Sequence, residues 1–239
     1  MIVIMKNVFL VIMVVLIVGC SKDSSEAPPI DSEIVTDLDG NVYETLVIGN
    51  QTWMKTNLNV SKYQDGTPIP EVTNPAQWAT LTTGAWCYYE NKTRNKEVYG
   101  KLYNWYAVAG IYDVASLNNL SLRKKLAPTG YSIPTDAEWT TLTSFIGSEA
   151  GGKMKETDTS NWTSPNSEAT NSSGFTALPG GYIISNGTFH FLGDYGYWWS
   201  STGIDSNVAW NRSLGYNSTI VCTSYDDKNY GFAVRCIKK

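Results

Sequence analysis

The amino-acid sequence predicts an α+β fold that is rich in short strands and loops. Three β-rich runs within residues 35–54 are separated by turn sequences, DGN at residues 39–41 and GN at residues 49–50. Two helical patterns follow, at residues 99–109 and 135–147. After the second pattern, short strand patterns alternate with segments rich in Gly, Asn, Ser and Asp. We therefore expect two helices packed on short, twisted antiparallel sheets.

The turn that begins at Asp37 is predicted to close a hairpin and not to bind calcium. Its sequence DLDG resembles the start of an EF-hand loop. Such a loop needs further oxygen ligands and a glutamate at its twelfth position. Counted from Asp37, that position is Ile48, whose side chain has no oxygen. A hairpin turn is therefore the better interpretation.

The first helical pattern lies at residues 99–109. Its apolar side chains are spaced i, i+3, i+4 and i+7, as on one face of a helix: Leu102, Trp105, Tyr106 and Ala109. Gly110 follows directly and can end the helix. The pattern predicts an amphipathic helix that packs on a sheet.

The second helical pattern begins with a capping box. The Thr135 hydroxyl can accept the amide of Glu138, whose side chain can reach back to the first residue. The apolar residues that follow are expected to share the buried face: Trp139, Leu142, Phe145 and Ile146. Gly147 ends the pattern.

The C-terminal half contains six predicted strands. Their residues are 174–182, 188–192, 197–201, 209–214, 219–223 and 231–237. Asp226 and Asp227 fall between the last two strands, where acids and asparagine favour a turn. Gly180 and Gly181 are expected to permit a tight turn or a close approach of strands.

The N-terminus predicts export and a lipid anchor. In residues 1–19, Lys6 precedes an apolar run that ends at Gly19, which fits a secretory signal peptide. The apolar run of residues 8–18 is too short for a membrane span, which needs about 20 residues. Cys20 comes directly after the expected cut, and this arrangement resembles the bacterial lipobox, whose cysteine is lipidated.

Residues 20–33 are expected to form the lipidated cysteine and a flexible tether, because they show no apolar periodicity. Residues 34–239 are expected to form a single domain. The acid-bearing segment 21–26 resembles the signal that sends lipoproteins to the outer face of the outer membrane. The expected location is therefore the outer membrane, lipid-anchored and facing the cell exterior.

Composition narrows the class of partner. The formal net charge is −4 and only 17% of residues are charged, so no nucleic-acid partner is expected, since that would call for a clustered basic face. Aromatic residues are abundant, with 9 Trp, 15 Tyr and 6 Phe. Large rings can fill the core of a loop-rich fold, and outward rings can stack on sugars or on a partner's side chains.

The sequence lacks the usual catalytic patterns. The only histidine is His190, which strand alternation places opposite Phe189 and Phe191 as a surface residue. No G-x-S-x-G motif, Gly-rich phosphate loop or Cys/His zinc cluster is present. We therefore expect no enzyme, no metal ion and no cofactor.

Lipidation of Cys20 would leave three cysteines, Cys87, Cys222 and Cys236. An odd number permits one intramolecular disulfide and leaves one thiol. Cys222 and Cys236 lie on predicted neighbouring strands and are the candidate pair, although the sequence leaves the pairing open.

Seven ordered motifs carry a resemblance to a known family. They are GNQTWMKTNL at 49–58, YQDGTPIP at 63–70, GKLYNWYAV at 100–108, PTGYSIPTDAEW at 128–139, GFTALPGGY at 174–182, YWWSST at 197–202 and YGFAVRC at 230–236. From about Val35 to Cys236 the chain resembles the Fibrobacter succinogenes major paralogous domain (FISUMP), a module common in lipoproteins of Bacteroidetes-type bacteria. The family often has a cysteine where this chain has Ala127, so the resemblance implies that Cys87 is left unpaired.

That domain is in turn similar to the C-type-lectin-like fold of formylglycine-generating enzymes and hypervariable receptor proteins. The similarity lies in the helix motif at 134–139 and the terminal strand motif at 231–235. It implies ligand contacts from the C-terminal strands and loops. The candidates by this analogy are Trp162, Tyr195, Trp210, Arg212, Tyr216 and Tyr225. At least half of these are expected to be packing residues, and Trp198 and Trp210 are the first expected to be buried.

The function expected from these observations is a non-catalytic glycan- or protein-binding adhesion module. The first alternative is a structural or accessory component of a surface assembly, such as a fimbrial tip or a nutrient-uptake complex. The second is an enzyme of the formylglycine-generating type, but Cys222 and Cys236 do not match the close cysteine pair of those enzymes. A calcium-dependent lectin is disfavoured, because Ser164-Pro165-Asn166 lacks the carboxylate of the lectin signature.

Overall fold

The computed structural model describes residues 33–239, which form an α+β fold built on two β-sheets. The predictions for residues 1–19, for Cys20 and for the tether up to residue 32 lie outside this part of the chain. The strands are β1 Ile34–Thr36, β2 Val42–Ile48, β3 Gln51–Met54, β4 Trp86–Cys87, β5 Leu102–Asn104, β6 Tyr131–Ser132, β7 Gly180–Ile183, β8 Phe189–Leu192, β9 Tyr195–Gly203, β10 Val208–Gly215, β11 Cys222–Asp227, β12 Gly231–Phe232 and β13 Ile237–Lys238.

Six short helices accompany the sheets. They are α1 Pro75–Trp78, α2 Lys96–Tyr99, α3 Trp105–Val108, α4 Val114–Asn118, α5 Asp136–Ile146 and α6 Ala150–Met154, with 3₁₀ turns at Tyr89–Asn91, Thr93–Asn95 and Leu120–Leu122. Between residues 33 and 239, none of these helices has the length and apolar character needed to cross a membrane.

The five-stranded sheet has the order β1-β2-β3-β13-β6, so strands from the two ends of the described chain lie side by side. Its hairpins confirm the turns predicted at residues 39–41 and 49–50. In the first turn, Asp37 accepts hydrogen bonds from the amides of Asp39 and Asn41 and from the Tyr43 hydroxyl. The Asp37 carboxylate thus has three partners within the hairpin turn.

The eight-stranded sheet has the order β11-β10-β9-β7-β12-β5-β4, with β8 paired to β7. The pairs are antiparallel except for β7 and β9, which meet in parallel where Gly181 lies opposite Gly196. Gly181 has a φ of 60°, and a Cβ atom there would lie 2.5 Å from the His190 carbonyl oxygen. The close approach of strands predicted at this glycine is confirmed.

Helix α5 confirms the second helical pattern. The Thr135 side chain accepts the Glu138 amide and the Glu138 carboxylate accepts the Thr135 amide, which is the predicted capping box. Trp139 and Leu142 are buried. Phe145 was expected beside them but is 65% exposed, whereas the neighbouring Ile146 packs against the core.

The helix predicted at residues 99–109 is wrong. Helix α2 ends at Tyr99, the following Gly100 has a φ of 72°, and the chain then forms strand β5 before the single turn of α3. Strand β5 pairs with β4 and with β12, placing Asn104 opposite Gly231. Pairing with a strand more than a hundred residues away overrides the local helical periodicity.

Three of the predicted C-terminal strands also need correction. The strand predicted at 174–182 is confined to β7, since Gly174 and Thr176 have positive φ. The strand predicted at 219–223 begins later, as β11, and includes Asp226 and Asp227, which were expected in a turn. The strand predicted at 231–237 is divided into β12 and β13, which belong to different sheets.

The core between the sheets is aromatic. Phe175 contacts the rings of Trp53, Trp139 and Trp198, with centroid separations of 5.9, 5.9 and 6.1 Å. The buried Arg235 guanidinium lies 4.1 Å from the Phe175 ring centroid. This cluster connects α5 to both sheets.

Asn57 is the main polar partner of Arg235 in this core. Its Oδ1 accepts hydrogen bonds from Nη2 of Arg235 at 3.0 Å and from Nε1 of Trp198 at 2.8 Å. Arg235 also donates to the Phe175 carbonyl. Burial lowers the pKa of Arg235 to about 9, because the charged form is removed from water. The guanidinium is therefore held by neutral acceptors alone.

Candidate functional site

Strands β9, β10 and β11 divide the predicted ligand-binding residues between two faces of the larger sheet. Residues opposite one another in neighbouring strands share a face. Arg212 lies opposite Trp198 and Thr223, and this face is covered by α5. Ser213 lies opposite Tyr197 and Cys222, on the other face.

Trp162 is a packing residue. Its side chain is 1% exposed, and its Nε1 donates a hydrogen bond to the Ala177 carbonyl at 3.0 Å. The buried Lys155 ammonium lies 5.5 Å from its ring centroid. These contacts correct the expectation that Trp162 contacts a ligand, because the ring is enclosed within the chain.

Arg212 is also structural. It is 2% exposed and pairs with Asp136 at 2.6 Å, while its Nη2 donates to the Thr140 hydroxyl at 3.1 Å. These contacts attach β10 to the first turn of α5. The expectation that Arg212 contacts a ligand is therefore wrong, since its buried guanidinium forms the ion pair that connects β10 to α5.

Trp210 and Tyr225 lie opposite one another on the α5 side of the sheet. Their rings meet edge to face, with centroids 5.8 Å apart. Trp210 is half-buried and Tyr225 is exposed. Trp198 is buried as expected, and its indole contacts the aromatic core.

On the opposite face, four half-buried tyrosines form one continuous surface, which we call the tyrosine surface: Tyr182, Tyr195, Tyr197 and Tyr230. The ring centroid of Tyr182 lies 4.7 Å from that of Tyr197 and 6.1 Å from that of Tyr230. Tyr195 lies 6.0 Å from Tyr197 and 6.5 Å from Tyr216. Of the predicted ligand residues, Tyr195 belongs to this surface, whereas Tyr216 meets the Tyr195 ring but packs against the core that contains Trp162.

Buried aromatic rings pack beneath the tyrosine surface and support it. The buried Phe232 ring lies 5.6 Å from Tyr182 and 5.0 Å from Tyr197, and Trp199 lies behind it at 4.3 Å. Gly215 makes room for the Tyr195 ring, since a Cβ atom there would lie 2.7 Å from that ring. The rings are thus held in place before any ligand arrives, which lowers the entropic cost of binding.

A polar pair lies at the edge of the tyrosine surface. Asn211 Nδ2 donates to Asp226 Oδ2 at 2.8 Å, and Asn211 is fully buried. Within residues 33–239, Oδ1 of Asn211 has no hydrogen-bond partner. A buried acceptor without a partner is costly, and because this atom is closed off from the surface, the accessible acceptor of the pair is the half-buried Asp226 carboxylate.

The Asp226 carboxylate affects the pKa of the neighbouring tyrosines. Burial raises the pKa of Asp226, and the hydrogen bond from Asn211 opposes that shift. Burial also raises the pKa of Tyr182, Tyr197 and Tyr230, and the Asp226 carboxylate raises each of them further. The three phenols therefore remain protonated at neutral pH, as hydroxyl groups that can both donate and accept.

His190 lies at the rim of this surface, 5.7 Å from the Tyr182 ring centroid. It was expected opposite both Phe189 and Phe191. Phe191 has a φ of 61°, which breaks the strand alternation and brings its ring within 5.9 Å of both His190 and Tyr182. Phe189 packs on the other side, against Tyr89.

Comparison with known proteins gives one match. A family model, the Fibrobacter succinogenes major domain, matches residues 46–238. The chain belongs to this family. No curated protein and no solved structure matched the chain.

The match covers every residue of the tyrosine surface and the Asn211–Asp226 pair, so this candidate site lies within the Fibrobacter succinogenes major domain itself. Sequence reasoning missed Tyr182, Tyr197 and Tyr230 as site residues. The spacing of Tyr195 and Tyr197 at i and i+2 was an available signal, because it places both rings on one face of a strand.

The three cysteines among residues 33–239 form no disulfide with one another. Cys222 is exposed on β11, whereas Cys236 is fully buried beside β13, and both are free. The candidate disulfide between them is therefore wrong, since one thiol lies at the surface and the other is enclosed in the core. Burial raises the pKa of both Cys87 and Cys236, which keeps these thiols protonated and unreactive.

In the part of the chain that the structure describes, no group of three or more His, Cys, Asp or Glu side chains is placed to hold a metal ion. The candidate site therefore offers rings, hydroxyls, one amide and one carboxylate. These groups can bind a ligand by stacking and hydrogen bonding.

Proposed function

We propose that this Fibrobacter succinogenes major domain is a non-catalytic binding module whose tyrosine surface binds a glycan. The observation that carries the proposal is the arrangement of half-buried Tyr182, Tyr197 and Tyr230 beside the half-buried Asp226 carboxylate.

The chemistry of a sugar ring fits this arrangement. A pyranose presents an apolar face of C–H groups, which packs well against an aromatic ring, and a rim of hydroxyl groups. The Asp226 carboxylate, which Asn211 Nδ2 holds in place, can accept hydrogen bonds from those hydroxyls. The phenol oxygens of the tyrosine surface supply further donors and acceptors.

The decisive test compares two tyrosines on opposite faces of the same sheet. Tyr230→Ala removes a ring of the tyrosine surface, whereas Tyr225→Ala removes an exposed ring on the α5 side. In a glycan array followed by calorimetry with any glycan found, we expect Tyr230→Ala to weaken binding at least about tenfold, equivalent to about 1.4 kcal/mol. Tyr225→Ala should bind as the unaltered chain does.

A second candidate function is membership of a surface assembly, such as a fimbrial tip or an uptake complex. Strand β11 favours it, because β11 lies at the edge of the sheet and pairs only with β10 among residues 33–239. An edge strand can add a strand from another protein. In that case Tyr225→Ala would disrupt co-purification with envelope proteins after crosslinking, and Tyr230→Ala would not.

We propose that the chain is anchored to the outer membrane through acyl chains on Cys20 and faces the cell exterior. The lipobox-like sequence and the acid-bearing residues 21–26 support this location. Two or more buried chains hold a protein stably, at about 0.8 kcal/mol for each methylene. Protease treatment of intact cells should remove the domain; if the domain is fully protected, the exterior location is wrong.

The C-type-lectin-like fold belongs to the same proposal. Two features support it: the helix motif at 134–139 begins α5 with a complete capping box, and the terminal motif at 231–235 carries the chain from one sheet to the other. Such a fold would place the binding surface on the C-terminal strands, where the tyrosine surface lies.

A further inference from the structure

A cavity of about 560 Å³ lies away from the tyrosine surface. Its wall includes Trp105, Tyr106, Arg123, Asp205 and Lys228. We call it the Arg123–Lys228 cavity. Two cationic side chains from distant parts of the sequence thus face one space beside two aromatic rings.

Lys228 is held tightly in this wall. It is 7% exposed, its Nζ lies 4.4 Å from the Trp105 ring centroid, and it donates a hydrogen bond to the Asp205 backbone carbonyl. Burial and the nearby Arg123 charge lower the pKa of Lys228, and the Asp205 carboxylate opposes this. The ammonium is therefore partly desolvated and is fixed by a ring and a carbonyl.

Arg123 is held by backbone carbonyls of helix α4. Its Nε donates to the Ser116 carbonyl at 3.2 Å and its Nη2 to the Leu117 carbonyl at 3.4 Å. These bonds leave N–H groups of the guanidinium free, and carbonyl groups do not neutralise its charge.

Neither cation forms an ion pair. Among residues 33–239, the seven pairs with N–O separations up to 4.0 Å involve neither Arg123 nor Lys228. Asp205 is the acid in the cavity wall, and its Oδ1 is engaged by the amides of Asn207 and Val208 at 2.7 and 2.9 Å. The cavity therefore keeps an excess of positive charge.

We propose that the Arg123–Lys228 cavity binds the carboxylate of an acidic sugar, of the hexuronate class. Two cations with free N–H groups match a carboxylate, and a guanidinium can bind both of its oxygens. The half-buried Tyr106 offers an aromatic surface for the sugar ring, and the cavity is large enough for a monosaccharide. The site is separate from the tyrosine surface, although both would serve the binding of glycans.

The experiment measures binding of glucuronate and of glucose to the purified full chain by calorimetry or NMR titration. We expect glucuronate to bind at least about tenfold more tightly than glucose, and added salt to weaken the glucuronate complex. Failure of glucuronate to bind, or equal binding of the two sugars, would overturn the proposal without any variant.

Two variants then test whether glucuronate binds in the Arg123–Lys228 cavity. Arg123→Gln removes one charge of the cavity and is expected to weaken glucuronate binding at least about tenfold. Arg94→Gln removes an exposed arginine elsewhere and should leave binding unchanged. Thermal unfolding identifies any variant that does not fold.

The same assay separates this cavity from the tyrosine surface. Tyr230→Ala should leave glucuronate binding intact, since its ring lies on the tyrosine surface. An unchanged affinity of Arg123→Gln would contradict the proposal and leave the function of the tyrosine surface unaffected.

Discussion

Phe175→Ala is expected to lower the free energy of unfolding by about 3–5 kcal/mol. The Phe175 side chain is fully buried, contacts three tryptophan rings and lies beneath the Arg235 guanidinium. Its removal leaves a cavity where α5 meets both sheets, and the large rings around it cannot collapse into the space without leaving their preferred rotamers. Urea or guanidinium denaturation, followed by tryptophan fluorescence, measures the change.

Phe145→Ala is the matched control. The same side chain is removed from α5, where Phe145 is 65% exposed, so the change is expected to stay within about 0.5 kcal/mol. If the two variants lose similar amounts of stability, the aromatic cluster around Phe175 is not the centre of the core.

The second large effect is expected from Asn57→Leu. Its Oδ1 is the acceptor for both Arg235 and Trp198, and its Nδ2 donates to the Tyr99 carbonyl at 2.9 Å. Leucine fills a similar volume but leaves a fully buried guanidinium with the Phe175 carbonyl as its remaining acceptor. Removing the hydrogen-bond acceptor of a buried charged group costs about 1.5–3 kcal/mol. Chemical denaturation again provides the measurement.

A double-mutant cycle with Arg235→Met isolates the reason for this loss. When both residues are replaced, no buried charge remains, so the double variant should be more stable than the sum of the single changes implies. The expected coupling is about 1–3 kcal/mol. Strict additivity would show that Asn57 acts through its bonds to Tyr99 and Trp198 and not through the charge of Arg235.

Local signals in the sequence were sufficient for part of the fold. The N-terminal hairpin was predictable because its turn residues specify the backbone, and Asp37 accepts bonds from residues only two to six positions away. The start of α5 was predictable for the same reason, since Thr135 and Glu138 cap each other. The helical pattern at 99–109 failed because β5 takes its partner from β12 at the other end of the chain.

The candidate site depends on contacts that sequence spacing does not encode. Tyr182, Tyr197 and Tyr230 come together because β7, β9 and β12 are neighbours in the sheet, and that order is set by the topology. Arginine is a common residue type in ligand contacts, but the Arg212 side chain is bonded to Asp136, which lies 76 residues away in the sequence. Burial and pairing at long range therefore separate a packing residue from a binding residue here.

The position of β13 has a consequence for the order in which the protein can fold. This strand lies between β3 and β6, yet it is formed by the penultimate residues of the chain, Ile237–Lys238. The five-stranded sheet is therefore complete only after residues 237–238 have paired with both β3 and β6, and contacts so distant in sequence form slowly.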